Sequence, residues 1–162
     1  MAVSTGAVLQ RLHNQTLAGG LKLVNADFAL EIEGFEGNWL LCTQAPWPEL
    51  SAGGEIEVSG PLGLGQFQPQ QAKTHQQGAI TMMENEAGQI DDMLLALLTA
   101  GNNARFNAKV YQGTPENSTY YKPIYDCFMQ LDNPDRDWEN RSQILLFNGT
   151  MFFHYFGEKV RS

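Results

Sequence analysis

RSQILLFNGTMFFHYF, residues 141–156, reads as two strands around a turn. Arg141 to Phe147 and Thr150 to Phe156 are the predicted strands. Asn148-Gly149 between them suits a type I′ turn, whose two central residues take positive φ. Working back along the chain, Tyr120 to Leu131 reads as a long strand, with Pro123 marking a sheet edge or a bulge. Phe106, Ala108 and Val110 alternate with Arg105, Asn107, Lys109 and Tyr111, and Ala79 to Glu84 is a further strand. Phe28, Leu30 and Ile32 alternate with Ala29, Glu31 and Glu33, the period-two signature of a half-buried strand. Gly34 to Gly37 then turns the chain, and Asn38 to Thr43 is expected to return as the partner strand of a hairpin.

One segment has helical periodicity. Ile90, Met93, Leu94, Leu97 and Leu98 fall at i, i+3, i+4, i+7 and i+8, an apolar stripe expected to dock on the sheet. Asp91 and Asp92 lie in its early turns, where the helix dipole favours negative charge. Gly101-Asn102-Asn103 supplies a left-handed stop. One helix among many strands predicts an α+β or all-β domain.

The 162 residues amount to one domain, large enough to bury a core without a staple. Residues 1–20 are small and polar and read as an N-terminal arm, ordered by a neighbour if at all. Residues 21–162 form the predicted domain, with a long loop at 44–78 rich in Pro, Gly and Gln. Within it Glu55 to Ser59 alternates as a short strand, and Trp47 between Pro46 and Pro48 makes a stiff apolar tip. A connection of that length in a small domain is commonly functional.

Charge narrows the function. Net charge is −8, from 18 acidic and 10 basic residues, and the basic residues are scattered singly. Nucleic-acid binding draws on Lys/Arg stripes that displace counterions, so specific binding is not expected. A surface past which nucleic acid slides is compatible with this balance. The N-terminus lacks the basic start and apolar run of a signal peptide, and no stretch approaches a membrane span.

Chemistry is sparse. His13, His75 and His154 stand apart from any metal-ligand spacing, and His154 reads as a hydrogen-bonded strand residue. Cys42 and Cys127 sit in apolar runs and read as buried thiols. Asp132, Asp135, Asp137 and Glu139 form the one carboxylate cluster. It lacks the spacing and the glycine of a calcium loop and is expected to be a turn neutralised by Arg136 and Arg141. Gly60 to Gly65 lacks the Lys-Ser/Thr of a phosphate cradle. The four Asn-x-Ser/Thr matches are expected by chance. No catalytic set, metal site or cofactor is predicted.

In order along the chain, the second half resembles the tail tube proteins of contractile-tailed bacteriophages. The likeness rests on Glu84-Asn85-Glu86-Ala87-Gly88, the Leu-rich helix to Gly101, FNAKVYQG at 106–113, and Cys127-Phe128. It continues through DRDWENRS at 135–142, Gly149-Thr150 and Phe153 to Phe156. Phe28 to Leu41 fits the family's early hairpin, and residues 44–78 match no part of it. The resemblance implies a mostly-β fold, a β-sandwich or small barrel with one flanking helix over about residues 88–100.

It further implies a structural subunit rather than an enzyme. Copies would close into hexameric rings stacked as a tube inside a sheath, in the tail of a virion assembled in the host cytoplasm. Partners would be the chain itself, the sheath, baseplate and terminator proteins, and genomic DNA passing through unbound, without membrane insertion. Glu31 and Glu33 are candidates to face the lumen. Trp47, Pro46 and Pro48, together with the arm, are candidates for contact between rings. Two rival readings are a carbohydrate-binding β-sandwich, stacking sugars on Trp39, Trp47 or Trp138, and a related baseplate or secretion-system tube subunit.

Overall fold

One long strand carries the architecture. In the computed structural model, which describes residues 5–101 and 103–161, β7 (Ser118–Leu131) changes partner along its length. Its first half pairs with β6 (Phe106–Gly113) and its second with β8 (Leu146–His154). The switch falls at a bulge between Tyr125 and Phe128, where Asp126 has φ 48°. A bulge bends a strand and strengthens its twist, so here the sheet wraps around its own inner face.

The remaining strands extend this sheet. β1 (Phe28–Ile32) pairs β6, β5 (His75–Met83) pairs β8, β2 (Cys42–Gln44) pairs β5, and β9 (Val160–Arg161) pairs β7. All pairings are antiparallel, in the order β1-β6-β7-β8-β5-β2. A 3-10 segment, Glu36–Leu41, spans from β1 to β2 and brings the two ends of the sheet towards each other as a nearly closed barrel. Leu30, Ile32, Ile80, Met82, Ile124, Met151 and Phe153 fill its interior.

The helix α2 (Gln89–Thr99) stands where the periodicity put it. Ile90, Met93 and Leu97 are buried, but Leu98 is 68% exposed, so the docked face is narrower than the stripe. Its free first-turn amides are met from outside the helix. Glu84 Oε1 accepts from Ile90 N (3.1 Å) and Oε2 from Asp91 N (2.9 Å), a role usually taken by the N-cap side chain. After Thr99, Gly101 and Asn103 take positive φ as expected of the stop; Asn102 lies outside the described residues.

Three sequence expectations are corrected. Asn38 to Thr43 does not return along β1. Its residues to Leu41 fold as the 3-10 segment, with Leu41 packed on the core and Asn38 Nδ2 donating to Met93 Sδ (3.5 Å), while Cys42 and Thr43 begin β2, which pairs β5 instead. Asn148-Gly149 is not a turn but the middle of β8, with Gly149 opposite both Ile80 and Leu131. A Cβ there would strike Gln130 O and come within 2.7 Å of Leu131 Cα, so this glycine permits close strand approach. Finally, the arm contains a helix, α1 (Gly6–Ala18), begun by Thr5, whose side chain accepts from Val8 N. Residues 1–4 of the arm lie outside the described residues.

The barrel has two unlike poles. At one, β5 and β7 end, β6 and β8 begin, and α2 covers the opening. At the other, the chain of α1 enters β1, the segment 45–74 enters β5, and β9 joins β7. We call these the helix pole and the arm pole.

Candidate assembly surface

At the arm pole the long loop of residues 44–78 is largely built. Pro46 packs where β5 has Gly78: a Cβ on Gly78 would collide with the Pro46 ring. Pro48 is fully buried, and Trp47 lies half-buried against the core and edge-on to Tyr120, with ring centroids 6.1 Å apart. Beneath them stands Lys122, 5% exposed. Its Nζ donates to Pro48 O (2.9 Å) and to Glu49 Oε1 (2.8 Å), and lies 5.0 Å from the Trp47 ring centroid. A buried ammonium is tolerated when its protons are taken up in this way. The hydrogen bond from Lys122 holds the Glu49 carboxyl below the usual carboxylate value.

Beyond this anchor the chain runs out into β3 (Glu55–Ser59) and β4 (Gly65–Pro69), a separate antiparallel hairpin. Its stem is held by Gly53 N to Gln71 O and Lys73 N to Ser51 O, both 3.0 Å. Every strand residue in it is exposed. Ile56, Val58, Leu64 and Phe67, the last 76% exposed, stand in solvent. An isolated two-stranded hairpin is marginal in water, which makes this one a candidate contact surface. Sequence reading found β3 and missed β4. GQFQP (residues 65–69) carries little strand propensity, and only its pairing with β3 reveals it.

Glu31 and Glu33 lie at the β1 margin of the sheet. Glu31 is opposite Lys109 in register and accepts from Tyr111 Oη (3.3 Å). Burial, with the Glu31 charge beside it, pushes the Tyr111 hydroxyl up to about 12. Glu33 is exposed, and its backbone N–H donates to Asn107 O (3.0 Å). Glu36 shares a shallow depression of about 380 Å³ with both. The outward side of β5 and β8, by contrast, bears His75, Gln77, Thr81, Asn148, Thr150, Phe152 and His154 and no carboxylate or ammonium.

The other marked residues do not converge. His154 Nδ1 is 3.3 Å from Tyr125 O, and His75 is its cross-strand neighbour. Cys42 and Cys127 are free, and burial pushes the Cys42 thiol up to about 12 and Cys127 higher still. The acidic turn is not neutralised as expected: among the described residues the ion pair is Lys122–Glu49. The turn is held instead by Glu139 N donating to Asp137 Oδ1 (3.0 Å) and by its backbone. Trp138 in that turn is 97% exposed at the helix pole, while Trp47 is at the arm pole, so they form no common stacking platform. Among the described residues no three His, Cys, Asp or Glu side chains are grouped to hold a metal ion, and no helix is long and apolar enough to cross a membrane.

No protein-family model matches the chain, and no curated protein matches its sequence. Solved structures do. A chain of the extended sheath–tube complex of an extracellular contractile injection system, PVC, superposes with TM-score 0.59 at 10% identity, over 91% of this chain and 96% of that one. The chain has a tail-tube-like fold. The tube-terminating cap of the anti-feeding prophage matches at TM-score 0.58 and 9% identity, over 88% of this chain and 93% of that one. The PVC sheath/tube terminator gives 0.54 and 9%, over 88% and 97%. These descriptions name parts of tubes, sheaths and caps. In the tail-tube-like fold, β1-β6-β7 and β7-β8-β5-β2 are the two walls and α2 closes one end.

Proposed function

We propose that this chain is a structural subunit that assembles with copies of itself into the tube of a contractile apparatus, a phage tail or a related injection system. In this reading the subunits close into rings, six to a ring, and the rings stack around a channel inside a sheath. They end against baseplate and terminator proteins. The observation that carries the proposal is the β3–β4 hairpin, a separate sheet with every strand residue exposed, Ile56, Val58 and Phe67 among them. Burying one such side chain is worth about 1.5–3 kcal/mol. A neighbouring copy is the cover that a repeating assembly always supplies.

Trp47, Pro46 and Pro48 serve in this reading as the base of the hairpin, with the half-exposed side of Trp47 at the margin of the contact between rings. Glu31 and Glu33 line the channel. Six copies at −8 each carry about −48 per ring, a potential that keeps nucleic acid from adhering in transit. The assembled protein would reside in the tail of a virion or virion-like particle.

Negative-stain electron microscopy beside a sizing column tests this directly. Rings or hollow tubes from the purified chain are expected. Ile56→Ser with Phe67→Ser should abolish them while leaving the thermal midpoint of the barrel nearly unchanged, because neither side chain packs on its core. Tubes of normal yield from that double variant would remove the hairpin from the contact. A monomer at all concentrations that binds glycans saturably would overturn the tube reading itself.

A further inference from the structure

Helix α1 has 13 residues, none buried and none acidic. A helix so short holds its shape in water chiefly by packing an apolar face. α1 has such a face: Val8, Leu9 and Leu12 lie within one turn, and both leucines are at least half exposed. Arg11 stands beside this face and Lys22 follows in the linker.

The barrel has a vacancy of matching character at the helix pole. A groove of about 750 Å³ opens between α2 and the ends of β6, β7 and β8. Phe106, Leu131 and Phe147 line it, and exposed Leu95 and Leu98 of α2 stand along its wall. Its rim carries Glu86, Asp91 and Asp132 against the single cation Arg136, while Glu84 is occupied in capping α2. An apolar groove with an acidic rim complements an apolar helix that is basic and acid-free.

The chain's own helix is poorly placed to fill it. Asp27 is fixed at the arm pole, since Gly113 N donates to Asp27 O (3.1 Å) and Asp27 N to Val24 O (3.1 Å). Phe28 pairs with Gln112, whereas the groove lies at Phe106. Six steps of strand separate those positions, about 20 Å. No residue of α1 lines the groove, and none is buried against the barrel of its own chain. A second copy placed head to tail brings its arm pole, and so its α1, to this groove.

We propose that α1 of one copy docks in the groove under α2 of the next. This deepens the tube reading and rests on it for the presence of a neighbour. The chain of α1 joins β1 at the pole opposite the groove, so the contact is heterologous and propagates along one direction.

Complementation between two full-length variants tests it. One carries Leu9→Asp and Leu12→Asp, the other Leu95→Asp and Leu98→Asp; all four side chains are exposed, and melting curves check each fold. Each variant alone should need about tenfold or more higher concentration than wild type to associate. Mixed, they should form a 1:1 pair that grows no further, because one good helix meets one good groove. Oxidising Leu12→Cys on one chain with Leu98→Cys on another should link the two chains. Wild-type association by either variant, no linked pair in the mixture, or a crosslink within a single Leu12→Cys/Leu98→Cys chain at high dilution each overturns the proposal. So does a wild-type chain that stays monomeric to its solubility limit. Normal tubes from the Leu9/Leu12 variant would retain the tube reading and remove this inference. Linked pairs that never form rings or tubes would do the reverse.

Discussion

The ring of Pro46 occupies the inward space at Gly78, where any other residue of β5 would place a side chain. Glycine in a strand interior weakens it unless another group needs the room, and here the group is the segment that begins the long loop. Strand β5 and that segment therefore fit as one unit, and Trp47 and Pro48 reach Lys122 only because Gly78 is bare.

Gly78→Val should expel the 45–48 segment. We expect a loss of about 1–3 kcal/mol in denaturant unfolding, the usual cost of overpacking, and a red-shifted Trp47 emission. The emission is best read with Trp39 and Trp138 replaced by Phe.

Gly149→Ala should cost about 3 kcal/mol or more, since the obstructing atoms are the backbone of β7 rather than a flexible side chain. Gly37→Ala is the control. Nothing lies within 4 Å of a Cβ there, so its effect should stay within about 0.5 kcal/mol. Equal midpoints for the two variants would contradict the strand assignment of Asn148-Gly149.

Acid should loosen the Trp47 anchor before the barrel. The Glu49 carboxyl is held below its ordinary 4.5, first by the hydrogen bond from Lys122. A carboxylate lowered in the folded state adds stability that is complete above the ordinary value and is lost as pH falls through the lowered one. The Trp47 emission should therefore shift below about pH 4.5, and Glu49→Gln should remove that step. Lys122→Ala strips Pro48 O of its donor and should cost about 1–3 kcal/mol at neutral pH.

Both thiols should be inert in the folded protein. Burial pushes Cys42 up to about 12 and Cys127 higher, so at pH 8 neither holds an appreciable thiolate. A thiol-reactive chromophore should label two groups in denaturant and react many times more slowly without it. Rapid labelling of Cys42 in the native state would show that β2 opens readily.

Much of the barrel was legible because its strands alternate. Phe28 to Ile32 and Phe106 to Val110 show their two faces in the order of their residues, Tyr120 to Leu131 is a long run of strand-forming residues, and Ile90 to Leu97 shows a helical stripe. These are local consequences of side-chain geometry, and they sufficed for a mostly-β fold with α2 beside it and for the tail-tube resemblance. Where the sequence misled, two local signals were overruled by distant partners. Asn148-Gly149 is a strong turn pair taken in isolation. Between Ile80 and Leu131, however, the same glycine serves close packing, and nothing within ten residues of it announces that. Asn38 to Thr43 follows β1 in sequence, but β1 has its hydrogen bonds with β6, and Cys42 and Thr43 find their partner in β5.

The proposed assembly surfaces divide in the same way. Composition alone marks residues 44–78 as special and Trp47 as an apolar tip. Only the tertiary structure decides that Trp47 turns inward onto Lys122, while Phe67 and Ile56 face solvent. Only it places the groove beside α2 at the pole opposite the one where the chain of α1 joins β1. The reason is physical: a side chain's period along the chain fixes which face of its own element it occupies. What covers that face depends on which strands pair, and pairing is settled by contacts far apart in sequence.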